Sequence, residues 1–134
     1  MADPNQLCLR DLRARAALYC AKQSPDKPIY RRIAERDAAY LEKSNRPYGI
    51  GWGSAIRGGL AMLRGDRATA VRFYERALET FERCQLRPYS AAVRLRLSSL
   101  VPDGKRYEEA ARKYGEEEGI GDLARLSGVW IPFV

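Results

Sequence analysis

Five short breaks divide this chain. Ser24-Pro25-Asp26-Lys27-Pro28, Ser44-Asn45-Arg46-Pro47, Gly65-Asp66, Leu86-Arg87-Pro88 and Val101-Pro102-Asp103-Gly104 each contain proline, or glycine beside aspartate. Proline lacks a backbone donor and clashes with the preceding turn, so a helix does not run through it. Between the breaks, apolar residues recur at spacings of three and four. No segment alternates apolar and polar residues between hairpin turns, as a half-buried strand does. The punctuation and the periodicity together predict an all-α chain.

Taken in order, Asp3-Pro4 opens a first helix to about Lys22, with Leu7, Leu12, Ala16 and Tyr19 at near-helical spacing. A second carries Ile29, Ile33, Ala34, Asp37, Tyr40 and Leu41 on one face as far as about Lys43. The stretch from Tyr48 to Gly59 holds Gly49, Gly51, Gly53, Gly58 and Gly59, and reads as a loop leading into a third helix over about Trp52 to Arg64. Its Gly49-Ile50-Gly51 follows a polar break rather than a strand, and no Gly-Lys-Ser/Thr occurs, so a phosphate-cradling loop is not expected. A fourth helix contains Ala70, Val71, Tyr74, Ala77, Leu78 and Phe81, a fifth spans Tyr89 to Leu100, and a sixth Lys105 to about Glu118. A short segment from Asp122 to about Ser127 precedes an apolar tail, Val129-Trp130-Ile131-Pro132-Phe133-Val134. Such a tail should dock on its own domain or meet a partner.

With 134 residues, one domain is expected, built as three stacked antiparallel hairpins at about 4–44, 50–86 and 88–118, with a tail at 119–134. Each hairpin buries one face by stacking on the next. Histidine is absent, which removes the commonest general base, the usual nitrogen metal ligand and every His-dependent triad. Cys8, Cys20 and Cys84 are odd in number and form no Cys-x-x-Cys pair, so reduced thiols in a cytoplasmic setting are expected, with neither disulfides nor a metal site. The blocks Glu108-Glu109 and Glu116-Glu117-Glu118 point in different directions around a helix and do not converge on a substrate. No enzyme, cofactor, signal peptide or membrane span is expected.

The net charge of +7 is uneven: residues 1–67 hold 13 basic and 7 acidic side chains, and residues 68–134 hold 11 and 10. An anionic partner is therefore worth considering, either an acidic peptide or nucleic-acid phosphates, read by Arg32 and Arg36 with Arg31 beside them.

Gly58, Gly65-Asp66, Ala70, Tyr74 and Ala77 fall in the order and spacing of the second half of a tetratricopeptide repeat, which this part of the chain resembles. Ser54 and Arg57 stand where that pattern carries large apolar residues. In this register Gly58 and Ala70 are small where two helices approach, and Tyr74 fills the space toward the next hairpin. The region from Gly58 to the end, with Tyr89-Ser90-Ala91-Ala92-Val93-Arg94-Leu95-Arg96-Leu97, Gly104, Ala110-Ala111, Tyr114, Gly119-Ile120 and Pro132, is similar to the helical tails of bacterial proteins that join a Ser/Thr kinase or cyclase to an ATPase. The resemblance implies a non-catalytic protein-protein interaction scaffold in signalling. Its concave face would be lined by Trp52, Ala55, Gly59 and Met62, with Arg32 and Arg36 tuning the salt dependence. Two further expectations follow: self-association through Trp130 to Val134, and, as the alternative function, nucleic-acid binding by the basic N-terminal half.

Overall fold

The computed structural model describes residues 3–132, so Phe133 and Val134 of the expected tail lie outside the described residues. Those residues form seven helices and no strand: α1 (Pro4–Gln23), α2 (Pro28–Glu42), α3 (Pro47–Leu63), α4 (Arg67–Arg83), α5 (Arg87–Ser98), α6 (Lys105–Glu117) and α7 (Leu123–Trp130). The all-α expectation is met. Each helix from α1 to α5 packs on its successor, α1 also reaches α3, and α7 folds back onto α5.

The helix ends follow from side chains legible in the chain. Asp3, Asp66 and Asp122 cap α1, α4 and α7 by accepting from the amides of Asn5, Thr69 and Arg125 at 3.0, 3.2 and 3.0 Å. The bond from Thr69 also holds the Asp66 carboxyl below its ordinary pKa. Gly65, Gln85 and Gly119 take positive φ after α3, α4 and α6. In each case the next amide (Asp66, Leu86 or Ile120) donates to a carbonyl five residues back, at 2.8–2.9 Å. Gln85 does this without glycine's freedom.

Three expected boundaries are corrected. Pro47 begins α3 rather than ending a loop, so Tyr48 to Gly51 are helical. Pro88 sits in the first turn of α5, where its missing donor costs nothing, so α5 starts two residues before Tyr89. Val129 and Trp130 belong to α7, which runs past Ser127.

Glycine costs about 1 kcal/mol against alanine at each interior helical position, so the five glycines of α3 are opposed by local propensity. Close packing on two sides selects them. A Cβ on Gly51 would stand 2.6 Å from the Phe81 ring, one on Gly58 2.7 Å from the Tyr74 ring, and one on Gly53 3.1 Å from the Ala38 carbonyl oxygen. The glycine-rich segment is therefore the buried axis of the domain, between α2 and α4. Tyr74 covers Gly58 of its own hairpin instead of only reaching forward, and its burial pushes the phenol up to about 12.

The interior has two parts. Leu7, Leu18, Ala34, Ala38, Leu41, Ile56 and Leu60 join α1, α2 and α3, and Ala70, Tyr74, Phe81, Ala92, Val93, Leu97 and Ile131 join α4, α5 and the end of α7. Trp52 packs against both.

Candidate interaction surface

The residues expected to line a groove lie mostly inside. Ala55 is 6% exposed, Gly59 is buried, and Trp52 and Met62 are half-buried against the second core. Trp52 stands in a run of aromatic contacts, 5.2 Å from Tyr48 and 6.0 Å from Tyr89, while Tyr89 lies 5.2 Å from Phe81 and 5.9 Å from Trp130 (ring centroids). The indole nitrogen of Trp52 is buried and has no well-formed hydrogen bond among the described residues. Arg32 and Arg36 are exposed on α2, away from this run, and form no ion pair among the described residues. The six expected residues thus fall into two groups that do not share a site.

The chain itself closes the aromatic run. Arg96 of α5 is buried and donates twice to the Ile131 carbonyl, at 3.0 Å from Nε and 2.7 Å from Nη2. Burial lowers its pKa to about 10, which leaves it cationic at neutral pH. Arg15 of α1 donates to the Val129 carbonyl at 2.6 Å. Two guanidiniums therefore meet the unsatisfied carbonyls at the end of α7, a helix terminus that favours cations. Arg15 also pairs with Asp11 at 3.1 Å. Burial raises the Asp11 carboxyl to about 6 despite that partner. Trp130 and Ile131, part of the expected tail, are docked on their own domain.

On α1 the pattern differs. Leu7, Asp11, Ala14, Ala17, Leu18 and Ala21 are buried, yet Leu9 is 58%, Leu12 57% and Tyr19 63% exposed, with Ala16 exposed between them. Leu12, Ala16 and Tyr19 therefore do not share the core face with Leu7. Spacings of three, four and three place Leu9, Leu12, Ala16 and Tyr19 on one stripe of a helix, about 15 Å long at 1.5 Å per residue. Two shallow grooves flank it. One of about 420 Å³ is lined by Gln6, Leu9, Arg10, Leu12, Arg13 and Ala16, and one of about 280 Å³ runs between Leu12, Ala16 and Tyr19 and the exposed Val129 of α7. Cys8 is exposed beside the stripe rather than acting as a small core residue.

Beside this stripe, at the α1–α2 seam, lies a charged cluster that periodicity does not reveal. Asp37 is fully buried and accepts from Arg10 Nη1 at 3.0 Å and Arg13 Nε at 2.7 Å, with a second bond from Arg13. Arg10 also lies over the Tyr40 ring at 4.4 Å. Two guanidiniums share one carboxylate, so the seam keeps an excess positive charge, and Arg13 is half exposed. Several cations elsewhere are matched one to one or better: Arg57 with Glu42, Arg94 with Glu82, Arg87 with Glu117 and Glu118, and Arg112 with Glu116. An open groove of about 530 Å³ between α4, α5 and α6 is bordered by two of these matched sets.

No group of three or more cysteine or acidic side chains suited to a metal ion occurs among the described residues, and no helix there is long and apolar enough to cross a membrane. Compared with known proteins, the chain matches no family model, no curated protein and no solved structure.

Proposed function

We propose that this chain is a non-catalytic protein-protein interaction module of stacked helical hairpins, tetratricopeptide-like in its Gly58–Ala77 hairpin, and that it engages its partner through the outer face of α1. One observation carries this reading: Leu9, Leu12 and Tyr19 are each more than half exposed along a single stripe. Exposing one leucine is unremarkable, whereas a contiguous stripe of large apolar side chains on a folded surface marks a contact site. The partner-binding role expected of Trp52, Ala55, Gly59 and Met62 is assigned here to α1 instead, because the core buries Ala55 and Gly59 and half-buries Trp52 and Met62. The signalling setting implied by the kinase-tail resemblance remains part of the proposal as the kind of protein that uses such a module.

The test is capture from nuclease-treated lysate of the native host by the wild-type chain and by a Leu9→Gln/Leu12→Gln/Tyr19→Ser variant with an unchanged helical spectrum. A protein held by the wild type and lost by the variant is the expected result. An identical set on both, or nucleic acid alone on the wild type before nuclease treatment, would overturn it.

A further inference from the structure

The charge beside the stripe narrows the partner. We infer that the outer face of α1 receives an amphipathic helix with acidic flanks, its apolar ridge lying along Leu9, Leu12, Ala16 and Tyr19 and its carboxylates facing Arg13, Arg32 and Arg36; this rests on the function proposed above. Three turns of exposed apolar side chains match the ridge of one partner helix, whose anchors recur at the same spacing.

The rim is basic for a structural reason. Asp37 is consumed by Arg10 and Arg13 together, and Arg36, the residue before it, is exposed on α2, with Arg32 one turn earlier. The nearest acidic side chains of α2 lie on another side. Glu42 is turned toward Arg57 of α3, and Glu35, seven residues before it, is on the same side of the helix. Between Pro4 and Lys43 the chain has nine basic and five acidic residues. A second copy would bring two such rims together, and like charges across an interface oppose association. Nucleic acid would satisfy the arginines but leave the leucines and Tyr19 in water, since base-stacking readers place aromatics among the cations and here one tyrosine ends an aliphatic row.

The experiment uses the whole chain and three fluorescent probes at low and moderate salt. They are a synthetic peptide of about 18 residues, long enough for helix formation, with leucines at helical spacing and glutamates elsewhere, the same peptide with lysines for glutamates, and a short RNA duplex. The acidic peptide is expected to bind at least about tenfold more tightly than its lysine counterpart, with affinity falling as salt rises. Leu9→Gln/Leu12→Gln should weaken it by about tenfold, and Arg32→Gln/Arg36→Gln by about threefold with a flatter salt dependence. Equal affinity for both peptides, lost in the leucine variant, would overturn the acidic partner and leave the α1 docking face standing. Binding of neither peptide, with tight binding of the duplex that the leucine variant keeps, would overturn both.

Discussion

Two apolar surfaces of this molecule have opposite fates. The inner one, built from Trp52, Tyr89 and Trp130, is closed by the chain's own last helix, held by Arg96 and Arg15 at its terminal carbonyls. The outer one, on α1, has the same hydrophobic character and nothing described in the chain covers it. The difference teaches that apolar content does not decide exposure. A face is buried when another element presents both the apolar side chains and the hydrogen-bonding groups that satisfy its backbone ends, and α7 does both.

Substitutions should separate the two faces by the size of their cost. Phe81→Ala, in the core beneath the inner face, is expected to destabilise by about 3–5 kcal/mol, because the ring is fully buried and fills the space left by Gly51. Denaturant titration measures this. A cost below about 1 kcal/mol would mean that the inner face is not packed as described.

Next in size is the buried Asp11 beside Arg15. Its folded pKa of about 6 lies above the ordinary 3.8, so the folded state binds the proton more tightly than the unfolded chain. Its ionised form therefore costs stability at neutral pH, by about 3 kcal/mol, and the cost disappears as pH falls through 6 toward 4. Wild type minus Asp11→Asn, followed across that window, should show the wild type gaining stability on acidification relative to the variant. A flat difference would contradict the buried carboxylate.

Arg96→Met should cost about 2 kcal/mol through the lost charged hydrogen bonds to the Ile131 carbonyl. Amide exchange should quicken in α7 while α1 to α4 keep their protection; equal acceleration everywhere would mean that α7 is not a separately held element. The smallest effect belongs to the outer face. Leu9→Gln/Leu12→Gln should change stability by no more than about 0.5 kcal/mol, since both leucines are mostly in water already. A loss of several kcal/mol would show the stripe to be part of a core.

How much of this was legible in the chain varies with the physics involved. The first six helices and their order followed from the prolines and the Gly65-Asp66 turn, because breakers act through local sterics. The start of α3 did not, since Gly49 and Gly51 read as part of a loop until Pro47 is seen opening the helix and Phe81 lying on Gly51. On α1, periodicity marked Leu7, Leu12, Ala16 and Tyr19 as one set, but the helix is apolar on both sides, and only the position of α2 tells which leucines are inside. Arg32 and Arg36, expected to meet an anionic partner, are exposed, whereas the paired burial of Asp37 with Arg10 and Arg13 joins residues 27 and 24 positions apart and has no local signature. Trp52, expected on a concave binding face, is half-buried against both parts of the core, a placement that its spacing along α3 does not distinguish from groove exposure.

The most direct test is an amide and indole NMR map of the chain during titration with the acidic amphipathic peptide. Both tryptophans of the chain, Trp52 and Trp130, belong to the inner face, so their two indole signals report on it alone. The account predicts shifts confined to residues 9–20 of α1 and the exposed side of α2 from Ile29 to Arg36, with both indole signals unmoved. Large shifts of the indoles and of α7, with α1 silent, would contradict it and return the binding site to the inner face.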